Sequence, residues 1–164
     1  MANQLLNNLR NPIKFKLFLL KKLPMGFLAG LHLKEINEGD SSVEIKYKYL
    51  TQNPFRSLYF ACLAMAGELA SGVLSILHVS NSSKSVSMLV VHMDADFTKK
   101  AIGKITFKCF DGLKIKNAID ETIRTGEGTK VIATSMGYDE AGDKVAEFRI
   151  TWSFKAKGVL SHGS

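Results

Sequence analysis

The sequence predicts an α+β fold in which an antiparallel sheet of six strands wraps around one long apolar helix. Three observations predict it. Residues 57–79 form an apolar run without turn residues, too long for a strand and apolar on every side, as in a helix enclosed by protein. Segments with two-residue alternation occur in pairs before this run, after it and at the C-terminal end. The resulting order is helix, two strands, long helix, two strands, amphipathic helix, two strands, which lets six strands bury one face on a single helix.

The elements follow in chain order. An N-terminal helical segment, 1–28, has its pattern clearest over 3–22. Leu5, Leu6 and Leu9 precede Pro12, which suits the first turn of a second short helix. Ile13, Leu17 and Leu20 then interleave with Lys14, Lys16, Lys21 and Lys22. This basic amphipathic segment is expected to cap a groove of its own domain, with a membrane surface as the alternative. Residues 30–38 and 42–50 are expected to pair as a hairpin across Glu38-Gly39-Asp40-Ser41, because Val43, Ile45, Tyr47 and Tyr49 alternate with Glu44, Lys46 and Lys48.

Asn53-Pro54 breaks that strand, and Asn81-Ser82-Ser83 ends the long helix. In the next strand Val91, Met93, Ala95 and Phe97 oppose His92, Asp94 and Asp96. Residues 102–110 set Ile105, Phe107 and Cys109 opposite Lys104, Thr106 and Lys108. A tight link near Lys99-Lys100 would pair these two strands and place Asp94 and Asp96 across from the lysines. Asp111 stands where it can cap a helix over 113–125, whose Ile115, Ala118, Ile119, Thr122 and Ile123 form one stripe ended by Gly126 and Gly128. Strands at 129–138 and 144–156 flank Asp139–Asp143, with Ala146, Phe148, Ile150, Trp152 and Phe154 facing inward. A polar tail, 157–164, follows. There is no repeat or linker, so one domain over 1–164 is expected.

Composition narrows the function. In 164 residues, 46% hydrophobic and 23% charged side chains exclude a disordered chain. A net charge of +7 favours an anionic partner: a phosphate-bearing metabolite, nucleic acid or a membrane surface. Nucleic acid is disfavoured by the lack of a dense Lys/Arg stripe interleaved with aromatic side chains. Cys62 and Cys109 lie in apolar runs without a CxxC motif, as for buried thiols in a reducing compartment, and His32, His78, His92 and His162 are too scattered for a metal cluster. The apolar stretch 15–20 contains Lys16 and runs into Lys21-Lys22, unlike a signal peptide, so a cytoplasmic location is expected. The run 57–79 resembles a membrane span but holds Glu68 near its middle, where a carboxylate costs about 2.5–3.5 kcal/mol at a bilayer centre. Stable membrane insertion is therefore not expected.

Glu68 is the only charged residue between Arg56 and Lys84. Inside an enclosed helix it must be hydrogen-bonded, paired, protonated or beside a wet cavity. Arg149 is one candidate partner. Its helical neighbours Ala64, Gly67, Ser71 and Gly72 are all small, which leaves room for water, a ligand or a second backbone.

The stretch from Asn53 to Gly72 resembles the active-site loop and central helix of hotdog-fold acyl-CoA thioesterases, of the phenylacetate-degradation type and its uncharacterised relatives. That family's pattern has an Asn six residues before a His, then Gly-Gly, then a carboxylate eight residues after the first Gly. Asn53 and Glu68 stand at the Asn and carboxylate positions with the spacing kept. Tyr59 replaces the His, Phe60-Ala61 replaces the Gly-Gly, and Arg56 stands where a Gly is common.

The resemblance implies a hotdog fold with N-terminal helices and an extra amphipathic helix, and a dimer or tetramer with its site between subunits. It implies hydrolysis of an acyl-CoA thioester with Glu68 as general base or nucleophile and the Phe60 backbone amide as oxyanion donor. Tyr59 takes the His position, and Asn53 orients the carbonyl or the attacking water. Arg56, Ser85, Ser87 and Gly72 are the substrate-binding candidates, with Arg124, Lys99, Lys100 and Lys104 as further cations for CoA phosphates. No cofactor is implied. The altered 59–61 triplet favours the alternative, a hotdog protein that binds acyl-CoA or an acyl chain without cleaving it.

Overall fold

A computed structural model describes residues 2–158; His162 and most of the polar tail lie outside them. Three short helices open the chain: α1 (Ala2–Arg10), α2 (Pro12–Lys22) and α3 (Pro24–Ala29). Asn11 caps α2, its side-chain oxygen accepting from the amides of Ile13 and Lys14, with Pro12 in the first turn. The pattern over 3–22 did not separate α3, which Pro24 starts. It ends at Gly30, whose φ of 75° is left-handed, so β1 begins at His32 rather than at 30.

Strands β1 (His32–Ile36) and β2 (Ser41–Lys46) form the expected hairpin. β2 stops short of residue 50 because the buried Thr51 hydroxyl donates to the Lys46 carbonyl and accepts from the Lys48 amide. Those bonds fold Tyr49–Thr51 into a 3₁₀ turn and leave Tyr49 in solvent. The long helix α4 (Phe60–Ser80) follows, then β3 (Val86–Phe97), β4 (Lys104–Cys109), α5 (Gly112–Thr125), β5 (Thr129–Tyr138) and β6 (Lys144–Ala156). α4 is the one helix among the described residues long and apolar enough to cross a membrane, and it is the core helix of the molecule.

All six strands join one antiparallel sheet in the order β1-β2-β4-β5-β6-β3. α4 packs on β2, β4, β5 and β6. Its Leu69, Val73, Leu74 and Leu77 share one core with Ile45, Phe107, Phe148, Ile150 and Phe154. Each such side chain contributes about 1.5–3 kcal/mol by leaving water.

The expected pairing of β3 with the 102–110 strand is overturned. β3 pairs with β6, so Asp94 faces Arg149 and Asp96 faces Glu147, far from the lysines of β4. The physical reason is the link after β3, which runs along the β5–β6 turn instead of reversing tightly. Thr98 bonds through its amide to the Val145 carbonyl and through its hydroxyl to the Lys144 carbonyl. Lys99 Nζ sits 2.6 Å from Asp139 and 2.7 Å from Asp143. A bulge between Val90 and His92 also removes Val91 from the inward set.

Asp111 precedes α5 but does not cap it. Its carboxylate accepts from the Thr134 amide at 2.7 Å, fastening the helix to β5. Gly112 anchors the same helix to the β1–β2 turn, its amide donating to the Gly39 carbonyl at 2.9 Å. A Cβ here would lie 2.2 Å from the Glu38 carbonyl oxygen and 2.6 Å from that of Gly39. Gly112→Ala is therefore expected to cost about 2–3 kcal/mol, read as a fall in the urea midpoint at unchanged slope.

Candidate active site

The candidate residues gather at two places on α4, its start and its mid-length. The start is shaped by the loop 53–59, which Asn53 organises from within. Its side-chain oxygen accepts from the amides of Phe55 and Ser57 and the Ser57 hydroxyl, while its Nδ2 donates to the Leu58 carbonyl. All of these bonds stay inside the loop, so within this chain Asn53 holds the loop's shape. Arg56, at the position where the resemblance expects Gly, is the one non-glycine residue with positive φ (58°) among the described residues. The backbone there asks for a left-handed residue, and Arg meets the demand with some strain.

Tyr59 is the residue before α4, with φ −64° and ψ 133° and no side-chain cap. Its ring meets that of Phe60 edge-on, centroids 4.9 Å apart, and both side chains are well exposed. The Tyr59 amide donates to Thr51, and the amides of Cys62 and Leu63 reach the Tyr59 carbonyl. Among the described residues no acceptor meets the amides of Phe60 and Ala61, the ordinary state of a first helical turn. They open beside a groove of about 670 Å³ lined by Pro54, Phe55, Phe60, Phe97 and Lys100.

Glu68 lies two turns further on, at about 1.5 Å of rise per residue roughly 12 Å from the Phe60 amide. It is half-buried on the wall of a separate pocket of about 330 Å³, with Leu23, Pro24, Met25, Leu31, Met65 and Leu69 around it. Burial pushes its carboxyl pKa above the usual carboxylate range. The expected partner Arg149 is spoken for: it pairs with Asp94, Asp96 and Glu147. Among the described residues no ion pair or hydrogen bond holds the Glu68 carboxylate.

The small neighbours of Glu68 turn out to have separate tasks. A Cβ at Gly67 would lie 2.8 Å from the Phe148 ring, so this glycine lets the helix approach the sheet. Ser71 accepts from the Trp152 indole at 2.9 Å and donates to the Glu68 carbonyl. Only Gly72 serves the carboxylate directly: Glu68 Oε1 lies 3.1 Å from where its Cβ would stand.

The remaining candidates are dispersed within the chain. Ser85 and Ser87 lie beyond the far end of α4, and Ser87 donates to the Lys155 carbonyl. Lys99, Lys104 and Arg124 are each paired with carboxylates. Arg56 and Lys100 carry no ion pair among the described residues. Cys62 and Cys109 are buried, and burial pushes both thiols up, Cys109 to about 11, which disfavours the reactive thiolate. No group of three metal-ligating side chains occurs among the described residues.

A family described as a domain of unknown function, DUF4442, matches residues 13–154. The chain belongs to the DUF4442 family. This match takes in all of α4, the loop before it and the sheet as far as Phe154 in β6.

The DUF4442 chain is also similar to solved structures of the hotdog fold. One is a protein of unknown function from Pseudomonas aeruginosa, described as a probable thioesterase. It is 19% identical, with a TM-score of 0.73, and the match covers 90% of this chain and 97% of that one. A thioesterase from Haemophilus influenzae is 14% identical over 90% and 92% of the two chains, TM-score 0.59. PaaI from the phenylacetic acid degradation operon of Escherichia coli is 12% identical over 85% and 88%, TM-score 0.58. These likenesses show the fold, and no curated protein matches the sequence.

In this DUF4442 chain, sequence reasoning missed the wall that residues 22–26 raise over Glu68. Pro24, two residues after the Lys21-Lys22 end of the amphipathic pattern, was the available signal for a chain reversal there.

Proposed function

We propose that the protein hydrolyses acyl-CoA or a related thioester, with Glu68 as general base. The observation that carries this reading is the carboxylate itself: unpaired, half-buried, raised in pKa and open to an apolar pocket able to take an acyl group. Glu68 takes a proton from water as the water oxygen attacks the thioester carbonyl carbon. The oxyanion that develops is met by the Phe60 amide, where the partial positive charge of the helix start is aimed. Collapse breaks the C–S bond, and the proton held by Glu68 passes to the departing thiolate, leaving acid and thiol.

The ~12 Å between Glu68 and the Phe60 amide along one helix separates base from oxyanion donor within a single chain. A complete site then needs Glu68 of one copy and the helix start of another. The edge strand β3 supports this pairing. Its inward-facing Met93 and Phe97 are 43% and 51% exposed, an apolar face that a second copy would cover. Lys100 lines the groove and Arg56 belongs to the loop 53–59 before α4; neither has an ion pair among the described residues, and both are cations for CoA phosphates. Tyr59 and Phe60 form the groove's aromatic wall, and Asn53 fixes the loop that presents the amide. No cofactor enters this chemistry. The two buried thiols suit a reducing cytoplasm.

A second reading, acyl-CoA binding without cleavage, is favoured by the side chain of Phe60, which lines the groove where Gly would leave the approach open. Release of free thiol from a panel of acyl-CoAs separates the two. Hydrolysis of at least one member above the uncatalysed rate is expected. Saturable acyl-CoA binding with no thiol release would establish the second reading instead.

A further inference from the structure

The apolar side chains of α2 point in two opposite directions. Phe15 and Leu19 are 2% and 1% exposed and seat the helix on the domain. Ile13, Leu17 and Leu20, at i, i+4 and i+7, form a second stripe that is 70%, 49% and 50% exposed. The exposed apolar surface continues past the helix end through Met25 and Leu28, at 64% and 52%. The segment thus covers its own domain through Phe15 and Leu19 and shows this second stripe to solvent.

Charge identifies what covers it. Projected at 100° per residue, Lys14 and Lys21 fall on one flank of the stripe and Lys16 on the other. No acidic residue precedes Glu35 in the chain, while Arg10, Lys14, Lys16, Lys21, Lys22 and Lys34 are all cationic. Lys34 pairs with Glu44, but among the described residues Lys14, Lys16, Lys21 and Lys22 have no ion pair, and Lys14 meets the Asn8 amide oxygen. Two copies facing each other through this stripe would set cations against cations, since a two-fold interface brings the same patch to itself. An anionic bilayer supplies the opposite charge to the lysines and an apolar layer to the stripe.

We propose that α2 and α3 dock the protein on anionic membrane surfaces, with Ile13, Leu17 and Leu20 in the acyl boundary and Lys14, Lys16 and Lys21 among the headgroups. The helix lies in the plane of the interface and does not span it. The same segment forms the wall of the Glu68 pocket, with Lys22–Gly26 at its edge. Docking therefore sets this wall of the pocket close to the lipid surface. The docking claim stands whether or not Glu68 is catalytic.

Co-sedimentation of the whole protein with vesicles tests it. Phosphatidylglycerol-containing vesicles should pull the protein down, pure phosphatidylcholine far less, and binding should fall steeply between low and high salt. Leu17→Glu with Leu20→Glu should reduce binding at least tenfold, and Lys14→Gln with Lys21→Gln by roughly tenfold or more. Leu113→Glu, on the exposed face of α5, should leave binding unchanged. Circular dichroism confirms that each variant is folded. Failure of wild type to bind phosphatidylglycerol vesicles, or undiminished binding by the stripe variants, would overturn the proposal. So would a smaller oligomer for the stripe variants in sedimentation velocity, because a second copy would then be the occupant.

Discussion

Glu68→Gln is expected to reduce thioester hydrolysis by about 10²–10⁴-fold, the usual contribution of a positioned general base, and to make the protein more stable at neutral pH. The two effects share one cause. Desolvation raises the Glu68 pKa above the ordinary 4.5, so ionising this group costs more in the folded protein than in the unfolded chain. For an acid with a raised folded pKa, the fold is least penalised below the unfolded pKa. The penalty grows as pH rises from there to the folded pKa, then levels off. Gln imitates the protonated form at every pH. The Tm difference between Glu68→Gln and wild type should therefore be small near pH 4, widen with rising pH and then plateau. Wild-type hydrolysis should switch on across the same interval, as the base loses its proton. A group held by a cation would show the reverse, with the variant less stable at neutral pH.

Phe60→Pro is expected to lower hydrolysis by about 10²–10³-fold, the effect of removing one oxyanion donor, while leaving the fold intact. Proline suits the first position of a helix, where the amide has no intrahelical partner. The preceding Tyr59 already has the extended conformation, φ −64° and ψ 133°, that a following proline requires. The substitution thus deletes the N–H and keeps the helix. Phe60→Ala and Phe60→Gly are the controls. Both keep the amide and should retain or raise activity, because they clear the side chain from the groove. Rates on an acyl-CoA the wild type cleaves, with Tm as the folding check, separate loss of the amide from loss of structure.

Much of the fold was legible because its signals are local and periodic. The apolar run 57–79, the stripe of α5 and the alternation of the last two strands each declare an element without reference to the rest of the chain. What failed was long-range. β3 followed by β4 reads as a hairpin when only neighbours in sequence are considered. The preference of Asp94 and Asp96 for Arg149, some 55 residues away, leaves no local trace. The end of β2 was hidden because a single hydroxyl, that of Thr51, outweighs a continuing β pattern.

The candidate site divides in the same way. Glu68 stood out because a lone acid in an apolar run is costly wherever the run folds. Its lack of a partner, and the division of labour among Gly67, Ser71 and Gly72, depend on Phe148 and Trp152 arriving from β6. The distance between base and amide, by contrast, follows from helical rise alone. It was in the sequence from the outset.

The claim on which the mechanism turns is that base and oxyanion donor come from different copies. Glu68→Gln and Phe60→Pro chains, co-expressed with different tags and purified as the mixed assembly, test it most directly. Each parent alone has no intact site, whereas each mixed pair has one intact site and one doubly damaged site. About half of wild-type thioesterase activity should return in the mixed assembly. Activity no higher than that of the two parents would contradict it.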